Sequence, residues 1–130
     1  MAPVVLPQKN KVWINQDGLI EVDVVGDQTP DTVRQMSDEV MILAGELRLQ
    51  GKEVFVLDDI SRMSLKQPPA VAREVGAQAK RIQFTRLALL GSGNALLRYG
   101  TNFIIRGLGM PKTMKYFTDR PTAERWLREG

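Results

Sequence analysis

Apolar and polar residues alternate along the first quarter of the chain, then apolar residues recur every three to four positions, so the period changes from that of a strand to that of a helix. Residues 11–15 (KVWIN) and 19–25 (LIEVDVV) are β-rich runs that flank Gln16-Asp17-Gly18, the signature of a hairpin. In the second run Ile20, Val22 and Val24 face one way, opposed by Glu21 and Asp23. Val33, Met36, Val40, Leu43 and Leu47 then form one apolar stripe, which predicts a helix docked on a sheet. Thr29 is its expected N-cap, Pro30 fits the first helical position, Asp31 suits the positive dipole end, and Gly51 ends the helix.

Residues 53–60 (EVFVLDDI) are a short apolar run ended by two carboxylates. That is the pattern of a central strand covered on both faces and opening onto solvent at its C-terminal end. Residues 69–82 predict a second helix with Val71, Val75, Ala79 and Ile82 buried, and with Ala72, Gly76 and Ala77 allowing close approach to the sheet. A buried strand over 86–92, a third helix over 94–108, a last strand over 114–118 and a final helix capped by Asp119 complete the series. The order β-β-α-β-α-β-α-β-α predicts one α/β domain over residues 1–130, residues 1–10 being a disordered leader. Its sheet should be mostly parallel, with an antiparallel opening hairpin and helices packed on it. Ligands and partners of such sheets meet the loops after the strands' carboxyl ends.

The third helix has an unusually wide apolar arc. At about 100° per residue, Leu96, Tyr99, Gly100, Phe103 and Gly107 make the sheet-facing stripe. Leu97, Ile104 and Leu108 lie around from it, with Ile105 widening the arc and Arg98 and Arg106 bordering it. An apolar centre with an arginine rim suits an interface, so Leu97, Ile104 and Leu108 are the expected self-association face of a homodimer unless neighbouring elements cover them.

Composition removes several chemistries. The 130 residues include no histidine and no cysteine, which excludes a disulfide, a thiolate nucleophile, an imidazole base and a Cys/His zinc site. A metal would have to be a hard cation on oxygen ligands, and no metal or cofactor is expected. Neither a secretory signal nor a run of 18 apolar residues occurs, which predicts a soluble cytoplasmic protein without a membrane span. The net charge of +3 conceals a split: residues 1–65 carry 6 Lys/Arg and 11 Asp/Glu, residues 66–130 carry 12 and 4. Such polarity fits an acidic partner, or two halves that neutralise each other once folded. Nucleic acid is not an expected partner, because interleaved aromatics and a groove-entering motif are both missing.

Asp58-Asp59 looks like the acidic pair of a phosphoaccepting receiver domain, yet the next strand ends in Gly91-Ser92 where that site needs an aspartate. Neighbouring strand residues also point to opposite faces, so at most one of the two can join any single site. They are read as turn or cap residues, or as partner contacts together with Arg62. Gly91-Ser92-Gly93-Asn94 lies between a strand and a helix, where backbone N–H groups make either a tight turn or a contact for an anion or partner.

The closing Phe117-Thr118-Asp119, Ala123 and Trp126-Leu127, taken with the opening hairpin and a strand ending in Asp59-Ile60-Ser61, resembles the STAS-like family of sulfate transporter and anti-sigma factor antagonist domains. The resemblance implies a non-enzymatic regulatory module that binds a protein partner. In anti-sigma factor antagonists a serine at the N-terminus of the helix after the central strand is phosphorylated to switch that binding. Where those members read D-S-S-G or D-[ST]-[ST]-G, this chain reads Asp59-Ile60-Ser61-Arg62-Met63-Ser64-Leu65-Lys66, without the glycine. Ser64, and after it Ser61, are therefore the candidate phosphoacceptors; Asp58 and Asp59 would repel a phosphate there, and Arg62 and Lys66 would attract it. The family's relation in fold to CRAL-TRIO lipid-transfer domains implies an alternative, a carrier of a small apolar or anionic ligand.

Overall fold

The computed structural model describes residues 3–5 and 9–129, apart from the side chains of Val4, Val5, Leu96, Leu97 and Phe103. Its elements are β1 (Val4–Val5), β2 (Lys11–Ile14), β3 (Ile20–Gly26), α1 (Pro30–Leu49), β4 (Phe55–Met63), α2 (Pro69–Ile82), β5 (Arg86–Leu90), α3 (Ala95–Gly107), β6 (Met114–Phe117) and α4 (Arg120–Arg128). They build a six-stranded sheet in the order β1-β2-β3-β4-β5-β6. β1, β2 and β3 pair antiparallel, and β3 through β6 pair parallel, as the hairpin and the strand-helix alternation predict. Within the segment expected to be a leader, Val4 and Val5 pair with Val12 and Lys11, and Asn10 is fully buried.

Local chemistry sets the boundaries. Gly18 closes the hairpin at φ +80°, a left-handed value that glycine takes without steric cost. Thr29 Oγ1 accepts from Thr32 N at 3.2 Å and Thr32 Oγ1 accepts from Thr29 N at 2.9 Å, a reciprocal cap that stabilises the start of α1 by about 1 kcal/mol. Asp119 does the same work for α4, accepting from Thr122 N at 3.0 Å.

Sheet order decides which face each helix covers. The parallel strands are laid down in one direction, and right-handed crossovers then put α1, α2 and α3 on the same side. On that side Val22, Val24, Val56, Ile60, Leu87 and Leu89 pack with α1 and α2 residues such as Val33, Val40, Val71 and Ile82. The chain beyond β6 is free to cross over, and α4 covers the other side, where Ala123 and Leu127 meet Leu19, Leu57, Ala88 and Leu90. Trp126 closes that smaller core against Phe117, with ring centroids 5.5 Å apart, and Arg86 and Lys115 sit over its ring.

The third helix corrects the expected orientation. Tyr99, placed by periodicity against the sheet, is 70% exposed, whereas Ile105 is buried with Met114 and Leu87. Ile104 also turns inward, and Leu108 approaches Gly76 of α2, where an added Cβ would stand 3.4 Å from its methyl. Ile104 and Leu108 therefore do not form an outward self-association face; the Leu97 side chain lies outside the described residues. An arc as wide as this one offers two apolar stripes, and the neighbours on α2 and β6 choose between them.

The acidic and basic halves of the chain neutralise each other in part. Asp38–Arg81, Glu21–Arg120 and Asp17–Arg128 each join the first half to the second, and Glu74–Arg34 joins them with the signs exchanged. The Glu21–Arg120 pair differs from the rest because Glu21 is buried. Arg120 reaches it with both amino groups, at 2.6 and 3.0 Å, and so ties α4 to β3 across 99 residues. Arg120→Ala leaves that buried carboxylate with the Asn15 Nδ2 donor at 3.1 Å but no cation, and we expect a loss of about 2–3 kcal/mol in urea unfolding. Replacing both residues by leucine should cost less than the single change, since no buried charge remains.

Candidate functional site

The central strand β4 is longer than its apolar run implies. It continues past Asp59 to Met63, beside the end of β3, and the pairing slips by one residue between Asp23 and Val25. Such a bulge re-aims side chains and frees backbone groups from the ladder. The Ser61 amide finds Asp59 Oδ1 at 3.0 Å, and the Ser61 hydroxyl donates to the same oxygen at 2.6 Å. Arg62 turns back to pair with buried Asp23.

Upstream of the bulge, strand alternation sends the two carboxylates apart. Asp59 joins the side of the sheet on which Leu57 lies. Asp58 shares its side with Val56 and Ile60, and it lines a cavity of about 190 Å³ between the sheet and α1, α2 and α3. The walls are almost entirely aliphatic, with Met36, Met63 and Met114 among them. Asp58 is the one ionisable residue of the lining, and its Oδ1 is fully enclosed with no hydrogen-bond partner among the described residues.

The other polar side chains at the cavity are mostly committed elsewhere. Ser37 donates to Val33 O at 2.9 Å, and Gln78 bridges Glu74 and Arg81. Gln28 donates to Val25 O at 3.0 Å and accepts from Asn10 Nδ2 at 2.9 Å and Thr32 Oγ1 at 2.8 Å. Gln67 accepts from Gln28 N at 3.1 Å and donates to Ser64 O at 2.8 Å. This buried network, which no sequence pattern announced, links the segment before β2, the end of β3, the start of α1 and the β4–α2 loop.

Burial above all, and then repulsion from Asp59 and Asp23, pushes the Asp58 carboxyl up to about 7. A carboxyl of that kind can exchange a proton near neutrality. Paired acid–base chemistry with Asp59 is not assembled, because the sheet separates the two. Among the described residues no cluster of three or more Asp or Glu is placed to hold a metal ion.

The remaining sequence candidates lie along the carboxyl edge of the sheet rather than in the cavity. Ser61 is exposed within β4 and Ser64 lies just beyond it, whereas α2 begins only at Pro69. Neither serine occupies the helix N-terminus that the family pattern implies, and this corrects the expected equivalence; the continuation of β4 is the reason. At the end of β5, Gly91 is buried under Tyr116, whose hydroxyl would clash with an added Cβ. That hydroxyl donates to Ser92 O at 2.7 Å, so the Gly91 turn is a packing device that seats Tyr116. Gly93 and Asn94 are exposed at the same edge, with Asn94 O accepting from Arg98 N in the first turn of α3.

A family model described as SpoIIAA-like matches residues 19–128. That span runs from β3 through the whole of α4 and contains every side chain of the cavity lining. Comparison with curated proteins and with solved structures returned no match.

The raised Asp58 value makes stability depend on pH. In the unfolded chain this carboxyl ionises around its ordinary 3.8, whereas the folded chain holds the proton to about 7. The protonated form thus stabilises the fold fully below pH 4, and that contribution is lost as pH rises toward 7. Relative to Asp58→Asn, the wild type should lose at most about 4 kcal/mol between pH 4 and pH 8 in denaturant unfolding. Parallel pH profiles for the two proteins would mean that this carboxyl is solvated.

Proposed function

The chain belongs to the SpoIIAA-like family, a STAS-like fold of the anti-sigma factor antagonist type, and from that premise we propose that it is a non-enzymatic cytoplasmic binding module whose ligand is a small, largely apolar molecule held in the Asp58 cavity. The observation that carries this reading is the cavity itself. Protein interiors pack as densely as organic crystals and keep few voids larger than a water molecule. Here about 190 Å³ lies open under three helices, lined by aliphatic side chains; apolar cavities of about 150 Å³ in other proteins take up benzene. The single ionisable group in the lining supports binding over catalysis, since among the described residues no second acid or base lines the cavity beside it.

A protein partner at the carboxyl edge is the second reading, and exposed Leu65 favours it. Half of that leucine's surface is open to solvent, with Arg62 and Lys66 exposed beside it, the mixture of apolar and basic groups that a binding rim presents. On this reading Asp59, Ser61, Ser92 and Asn94 are partner contacts and the partner is acidic or is a second copy of the chain. A phosphate on Ser61 or Ser64 would have no helix dipole to hold it and would meet only the exposed Arg62 and Lys66.

Native mass spectrometry of gently purified protein, followed by denaturation and extraction, tests both readings together. We expect a co-purified small molecule that is released on denaturation. A clean apo mass, combined with no rise in Tm at saturating benzene, would sink the ligand reading. A homodimer in the same spectrum that dissociates in Leu65→Asp would assign the edge to self-association.

A further inference from the structure

We infer that the cavity selects ligands whose head group donates a hydrogen bond, an alcohol or a protonated amine on an apolar body of roughly six carbons, and that Asp58 is the residue that recognises this head. The inference rests on the ligand reading above and names the class of ligand. Among the described residues, half-buried Asp58 lines the apolar cavity, and its Oδ1 is enclosed without a hydrogen-bond partner. A buried acceptor left in that condition is costly, and a ligand that supplies a donor removes the cost. Gln28, Ser37, Gln67 and Gln78 make hydrogen bonds within the protein, so their polar groups are already engaged.

Charge decides the sign of the head. The carboxylates nearest Asp58 are Asp59 and Asp23 on the adjoining strand positions, and Arg62 is taken up by Asp23. None of the residues that α1, α2 and α3 contribute to the lining is ionisable. An anionic head would meet the Asp58 carboxyl with no cation in the lining to receive it, so the anionic half of the carrier alternative is disfavoured. A donor head meets the opposite situation. An alcohol can bond either form of Asp58, whereas an ammonium pairs with the ionised form and should bind more tightly as the carboxyl loses its proton.

Four probes of similar size separate the possibilities: benzene, which has no head, 1-hexanol, hexylamine and hexanoate. Binding is followed at pH 8 through the methyl NMR signals of Val22, Val71 and Ile104, in wild type and in Asp58→Asn. We expect benzene to bind both proteins alike, and 1-hexanol and hexylamine to bind the wild type at least roughly tenfold more tightly than hexanoate. Hexylamine should lose about that factor in Asp58→Asn. Hexanoate binding as tightly as hexylamine, or an amine affinity unchanged in Asp58→Asn, overturns the inference while bound benzene keeps the ligand reading intact. No binding of any probe overturns both. Should the variant fail to fold, the ranking of the four probes on the wild type still decides the case.

Discussion

Side chains in a β-strand alternate between two faces, and on β4 that alternation sends Asp58 to one side of the sheet and Asp59 to the other. Everything distinctive about the molecule follows from the side on which Asp58 falls. Sequential strand order puts three helices on that side and one on the other, so Asp58 enters the larger and more apolar of two cores. Asp58 is half-buried there, its Oδ1 is enclosed with no hydrogen-bond partner among the described residues, and burial raises the carboxyl to about 7. Asp59, one residue on, meets a bulged backbone and spends an oxygen on Ser61.

Elements whose signals are local were legible in the sequence. Thr29-Pro30-Asp31 marks the start of α1 within a few residues, and the capping geometry sits where that triplet places it. The stripe from Val33 to Leu47 is buried throughout, and Asp119, Ala123 and Leu127 cap and anchor α4 as their spacing indicates. What failed was everything decided by more distant neighbours. The face of α3 could not be chosen from an arc that is apolar on two sides; Leu108 against Gly76 and Ile105 against Met114 settle it. The burial of Asn10 depends on a glutamine 18 residues away, and no periodic pattern encodes that contact. Sequence spacing did separate Asp58 from Asp59, but it gave no sign of the cavity, which exists only where three helices and a sheet meet.

Membership of the SpoIIAA-like family and the cavity point in complementary directions. The family type is generally regulatory and non-enzymatic. β4 runs on to Met63 and α2 begins only at Pro69, so Ser61 is a strand residue and Ser64 a loop residue. The buried Asn10–Gln28–Gln67 network ties the β4–α2 loop to the rim of the cavity. An occupant of the cavity and a partner at the carboxyl edge would therefore be read by adjoining parts of one structure.

The account stands or falls on the state of one carboxyl, and that state can be observed directly. A carbon-13 NMR titration of the Asp58 side-chain carboxyl in the full-length protein should give a midpoint near 7, well above its ordinary 3.8. A midpoint near 4 would place Asp58 in water and contradict the burial on which the account depends.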